Sequence, residues 1–266
     1  MRDFFLWMFS ENNSTGSITL FSFWHFFYLI LIFGTAILLA FLLRKKSERA
    51  KTITLNIFAY LTIGLYLADF FIMPLSDSYS GISIYKLPFN ICTIMAVFVP
   101  FAQFNKKFEP VKSAIITLSI ASSLMWMCYP GSALGGQPPF SYIIFQTFMY
   151  HGMLFIWGFL SVAYKSSKYT IKTIWKEFIG ILLILGWAAL GNAIFPNQNW
   201  FFIQKSIFPF LPDKIMPLMV VVSVFGVCLA VYGIYYLVKY LYNVISKALN
   251  KKEKEIPNEN LQEENE

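Results

Sequence analysis

Charge is what this chain has least of. Asp, Glu, Lys and Arg make up 13% of its 266 residues, about half of what a soluble domain carries. That shortfall excludes a sizeable soluble domain. Cysteine is sparse as well. The three cysteines, Cys92, Cys128 and Cys228, show no CxxC and no paired spacing, so neither a disulfide framework nor a zinc site is indicated. Only Cys92 and Cys128 fall near helix ends on the same side, where a bridge could form. There is no HExxH, no Gly-rich phosphate loop and no carboxylate-rich metal site. Asp69, His25 and His151 could ligate a metal, but their spacing is uninformative, and neither metal nor cofactor is assigned. Repeats are missing too, which argues against many secondary-transporter folds. The net charge of +7 would suit nucleic acid, yet no basic stretch interleaves with stacking aromatics in a solvated segment. Nucleic acid is therefore excluded as a partner. Membrane lipids are implied, and the sequence is silent on protein partners.

What is abundant is oil-soluble. Hydrophobic residues make up 57% and aromatics 19%, gathered into seven runs: Phe21–Leu43, Leu55–Met73, Leu87–Phe104, Ala114–Met127, Tyr142–Ala163, Phe178–Phe195 and Met216–Val238. Each approaches the ~20 residues that a helix needs to cross a bilayer core. Seventeen of the 21 basic residues lie in alternate connections: Arg44–Lys51, Lys106–Lys112, Lys165–Lys176 and the stretch from Lys239 onward. Short Lys/Arg-rich loops stay in the cytoplasm. The expected fold is all-α, a polytopic membrane protein with seven transmembrane helices, its N-terminus outside and its C-terminus cytoplasmic, in the cell membrane. The expected layout is an outer segment 1–20, a seven-helix domain 21–240 and a largely disordered tail 241–266.

The connections carry their own signals. Phe4, Phe5, Trp7 and Met8 suit the outer interface. The uncharged, Gly/Pro-rich loop Cys128–Ser141 resists helix and strand alike and reads as a lid or a plain connector. Aromatics in Pro196–Ile215 fit an interfacial belt. Pro88 is expected in the first turn of span three, and Pro100 is expected to kink or end that helix.

Polar groups inside the spans are the functional candidates, because hydrocarbon excludes them unless they face a cavity or each other. His25, Asp69, Cys92, His151 and Asn192 all fall in the outer halves of their spans. Cys92 is expected about 7.5 Å, and His151 about 13 Å, below the outer surface at 1.5 Å per residue. The inner half holds almost none, which implies a polar cavity that opens outward. Thr62, Tyr66 and Asp69 share a face of span two. Ser119, Ser122, Ser123 and Trp126 share one of span four, where helix packing explains small polar residues equally well. Asp69 is expected to bond to Tyr66, Asn90 or a loop N–H. His25, beside Trp24, reads as an anchor or a headgroup ligand.

The segment Leu87-Pro88-Phe89-Asn90-Ile91-Cys92-Thr93 resembles the LPLxLCS segment of the YwaF-type heptahelical family, which includes the eukaryotic transmembrane protein 164. Tyr129-Pro130-Gly131, Gln146…Tyr150-His151-Gly152 and Gly191-Asn192…Asn199-Trp200-Phe201 resemble its other recurring parts. The eukaryotic branch is described as acyltransferases that act on ether phospholipids through a cysteine and a histidine. The resemblance implies those roles for Cys92 and His151. This chain has Asn90 where the family more often has His or Gln, and Thr93 in place of Ser. Asn donates and accepts hydrogen bonds but does not exchange protons at neutral pH.

The leading expectation is a lipid acyltransferase or transacylase with catalytic Cys92 and His151. Asn90 or Asn192 would hold the oxyanion, with Asp69, His25 and Gln146 as orienting or substrate-binding groups. The alternative is a non-catalytic binder or carrier of a small hydrophobic solute, which suits the aromatic content and the lid-like loop. A signalling receptor has only the helix count behind it.

Overall fold

In the computed structural model the described residues are 18–75, 84–130, 138–206 and 212–259. The aromatic segment at residues 4–8 and the centre of the Gly/Pro-rich loop, 131–137, lie outside them. Among the described residues there are helices and no strand. The α-helices are α1 (Phe23–Leu43), α2 (Glu48–Ile72), α3 (Ile91–Phe104), α4 (Lys112–Cys128), α5 (Tyr142–Ala163), α6 (Ile174–Ile194) and α7 (Met216–Glu259). Six of the described helices are long and apolar enough to cross a membrane, and α3 is a shorter apolar helix. With 14 residues, α3 is about 21 Å long, less than a ~30 Å hydrocarbon core.

Local chemistry explains the ends. Ser22 caps α1 by accepting from His25 N–H, and Ser47 caps α2 through Ala50 N–H. Span three departs from expectation at its start. Residues 87–90 form a turn, with Leu87 N–H on Ile84 O and Phe89 N–H on Leu87 O. Pro88 therefore precedes the helix instead of opening it, and Cys92 is the second residue of α3. Pro100 lies inside α3, which ends four residues later at Phe104. At the other end of the chain α7 continues to Glu259, past the point where polar composition alone suggests a structureless tail. Lys, Glu, Leu and Ala are all good helix formers. Residues 260–266 lie outside the described range.

Residues 1–228 make one compact unit and residues 229–266 a second, which comprises the later part of α7. Within the first unit, α5 packs on α1, α2 and α4, and α3 packs on α2 and α4. Side-chain ties give the directions. At the start of α1, Tyr28 donates to Pro139 O just before α5, and His25 bonds Met127 O at the end of α4. At the far ends, Tyr164 after α5 donates to Leu39 O late in α1. So α1 and α5 run parallel, and α4 runs against both. Gly158 lets α4 and α5 close up, because a Cβ there would stand 3.2 Å from the Ile116 carbonyl oxygen. Helices α4 and α5 are mostly buried, whereas α1 turns Phe23, Ile30, Ile37 and Phe41 outward. In water such a face would be an aggregation site; in lipid it is solvated.

The end with the lysine-rich connections is not free of polar groups, contrary to the expected asymmetry. Glu177, at the start of α6, is fully buried, and its carboxylate lies 3.0 Å from the Thr117 hydroxyl, itself 3.0 Å from the Tyr169 hydroxyl. Gln103 links Asn56 to the Trp157 indole through bonds of 2.8 and 3.2 Å. In the sequence Glu177 reads as one more charge of the adjoining basic loop. Only the fold turns it inward.

Candidate functional site

At the opposite end, the ends of α2, α4 and α6 meet the starts of α3 and α5. Cys92 packs against a buried cluster of Tyr66, Ala96 and Tyr150, and the Ser122 hydroxyl of α4 donates to Ser119 O. No side chain caps the N-terminus of α3, so its first-turn N–H groups around Cys92 lack the usual acceptor. All three cysteines are free; the Cys92–Cys128 bridge does not form.

His151 is 5% exposed. Its ring stacks on Trp126, with centroids 4.0 Å apart and planes 8° apart, and meets the Tyr150 ring edge-on at 4.6 Å. Nδ1 lies 2.8 Å from Thr147 O, one turn back. A carbonyl only accepts, so Nδ1 carries the proton and Nε2 keeps a lone pair. No partner binds Nε2 among the described residues. The structure shows no hydrogen bond between Cys92 and His151. What they share is Tyr150, which touches the imidazole and belongs to the cluster under the sulfur.

Tyr150 is the residue that sequence reading passed over. It is 5% exposed, and its hydroxyl is buried with no hydrogen-bond partner. Leaving such a group unmade costs about 1–3 kcal/mol. The available signal was its place beside His151 in the recurring Tyr-His-Gly stretch.

Asp69, 3% exposed on α2, pairs with Lys86 Nζ at 2.6 Å and accepts from the Tyr142 hydroxyl at 3.0 Å. The expected partners Tyr66 and Asn90 are engaged elsewhere. Tyr66 donates to Lys86 O at 3.0 Å. Lys86 is thus gripped at both its backbone and its ammonium.

The remaining candidates serve architecture. Asn192, 1% exposed, clamps Trp200 from both sides, accepting from its N–H at 2.8 Å and donating to its carbonyl at 3.1 Å. Asn90 accepts from Phe201 N–H at 2.9 Å. These three bonds, with those of Asn199 to Gln204, Lys205 and Phe202, hold Phe201 and Phe202 at φ of 57° and 53°. Two consecutive bulky residues in the left-handed region cost on the order of 1–3 kcal/mol each and persist only where the surroundings over-determine them. One N–H of Asn192 and its amide oxygen are spent on Trp200, which ties this expected oxyanion donor into the fold. Gln146 donates to Leu65 O at 2.9 Å and ties α5 to α2. His25 spends both nitrogens on backbone, Nδ1 accepting from Phe21 N–H at 3.1 Å and Nε2 donating to Met127 O at 2.8 Å. It reaches His151 only through the intervening rings of Phe148 and Trp126.

The segment that carries Cys92 is wedged in place. Phe89 lies between Trp187 and Trp200, with centroids at 5.2 and 4.6 Å, and Trp187 Nε1 donates to Pro88 O at 2.8 Å. Gly191 makes room, since a Cβ there would stand 2.5 Å from the Phe89 ring. Gly191→Ala is expected to cost about 1–3 kcal/mol by overpacking. The thermal midpoint in detergent measures this, and an unchanged value would mean that the ring retreats freely.

The stretches Leu87–Thr93, Gly191-Asn192 and Asn199–Phe201, distant in the chain, therefore form one clamp beside the Cys92–Tyr150–His151 group. No curated protein and no solved structure matches the chain. The family model that does match covers residues 20–245, the apolar helices and the whole of this clamp. This multi-pass membrane protein belongs to the TMEM164 family.

Proposed function

We propose that the chain is a membrane-embedded lipid acyltransferase or transacylase of the cell membrane, with Cys92 as nucleophile and His151 as general base. In this reading α3 is a seventh crossing, short and flanked by turns, and the basic connections place the N-terminus outside. The observation that carries it is the grouping at the start of α3. A thiol sits on an uncapped helix N-terminus, on a tyrosine cluster that also contacts an imidazole whose tautomer leaves Nε2 able to accept a proton. His151 Nε2 takes the thiol proton as sulfur bonds to the ester carbonyl carbon and the carbonyl π pair moves onto oxygen. Re-formation of the carbonyl breaks the ester C–O bond, and the leaving alkoxide takes the proton from His151. The acyl group remains on Cys92 as a thioester until an acceptor hydroxyl repeats the sequence in reverse. Asp69 and Lys86, paired with each other, brace the site and offer a lipid headgroup a polar contact.

The test is a trapped thioester. Protein in phosphatidylcholine vesicles is expected to acquire an acyl mass on Cys92 that hydroxylamine removes, and His151→Ala is expected to lose it. Wild-type protein that acquires none, with normal insertion, would overturn the reading.

A second reading, a carrier of a hydrophobic solute, rests on a different observation. An apolar groove of about 380 Å³ between α3 and α6 is lined by Pro88, Ile94, Phe98 and Trp187 among others. Under that reading the thiol is inert, and filling the groove through Ile94→Phe blocks solute uptake.

A further inference from the structure

The acyl-transfer chemistry leaves one need unmet. When sulfur adds to an ester carbonyl, the oxygen gains a full negative charge, and a preorganised donor must meet it. Of the two amides expected to do so, Asn192 is bound on both sides to Trp200, and Asn90 is tied through its oxygen to Phe201 N–H. The Ser122 hydroxyl already donates to Ser119 O. One hydroxyl in the cluster beneath Cys92 is buried with its proton unspent, that of Tyr150. Its ring is held edge-on to His151 and tilted against Tyr66, with centroids 4.6 and 6.1 Å away. Those contacts aim the phenol without consuming it, and Cys92 packs against the same cluster.

We infer that Tyr150 is a catalytic residue of this site, the oxyanion donor of acyl transfer. Its hydroxyl donates a hydrogen bond to the carbonyl oxygen as the C–S bond forms, and keeps its own proton throughout. The thiol proton still passes to His151 Nε2 and from there to the leaving alkoxide. The first-turn N–H groups of α3 supply the second donor, as a helix N-terminus does for anions generally. The substrate class follows from this: the group accepted must carry a carbonyl oxygen at the level of Cys92, an acyl ester of a membrane lipid. This inference rests on the acyltransferase reading.

The deciding variant is Tyr150→Phe, which removes one oxygen atom and leaves the ring. In vesicles of phosphatidylcholine with lysophosphatidylethanolamine as acceptor, its turnover is expected to fall about 10²- to 10³-fold, as on loss of an oxyanion donor elsewhere, with KM little changed. Alkylation of Cys92 by iodoacetamide, which forms no oxyanion, is expected to keep the wild-type rate. The thermal midpoint should hold or rise, because an unsatisfied buried group is gone. Turnover within twofold of wild type overturns the inference and leaves the acyltransferase reading intact. Parallel loss of turnover and alkylation overturns it as well, since Tyr150 would then only position the thiol. Wild-type protein with no Cys92-dependent transfer removes both.

Discussion

Cys92→Ala is expected to abolish acyl transfer while the helices still insert and pack. On the reaction path set out above, the sulfur is the only atom that becomes covalently bonded to the acyl group. Loss of a nucleophile that acts as a unit with its base lowers turnover by about 10⁴-fold or more, down to what binding and oxyanion contacts alone provide. The structural cost is small by comparison, because Cys92 is only half-buried and its neighbours Tyr66, Ala96 and Tyr150 already pack on one another. The measurement is exchange of a labelled acyl chain between phosphatidylcholine and a lysophospholipid in vesicles, with Cys92→Ser alongside as the near-isosteric variant. Equal exchange by wild type and Cys92→Ala would end the covalent route and favour the carrier.

Asp69→Ala is expected to cost about 3–5 kcal/mol, the usual result of removing one partner from a buried pair. The Lys86 ammonium would keep no counter-charge, and the Tyr142 hydroxyl would lose its acceptor. Lys86 is 21% exposed and has a long stem that can reach for water, which places the effect towards the lower figure. The pair is a poor source of net stability even when made, because desolvation offsets attraction. Lys86→Met added to Asp69→Ala should therefore restore most of the lost midpoint. A double-mutant cycle reads the coupling directly. Additive single effects would mean that the two charges do not share one site in the membrane.

Membrane class was legible because it rests on amounts. Scarce charge and seven apolar runs leave no soluble alternative, and the runs anticipate the helices closely: Tyr142–Ala163 coincides with α5, and Met216 opens α7. The errors fell where a local rule met a distant partner. Pro88 suits a first helical turn by its fixed φ, yet Trp187 and Trp200 hold Phe89 in a turn and push the helix start to Ile91. Glu177 and Gln103 find their partners 60 and 54 residues away, at separations that no periodicity reports.

The same division holds at the site. The family resemblance singled out Cys92 and His151; composition and spacing were enough to say that the chain lives in lipid and that its helices carry His, Asp and Cys at one end. Those conclusions need only the cost of putting polarity and charge into hydrocarbon, a property of single residues. Which polar groups remain available for chemistry depended on three-dimensional pairing. Asn192, Gln146 and His25 look as reactive in one dimension as Tyr150, but each gives a hydrogen bond to a backbone carbonyl that folding brings within reach. Hydrogen-bond capacity is finite and is spent between segments far apart in the chain, so availability is settled only when the helices have packed.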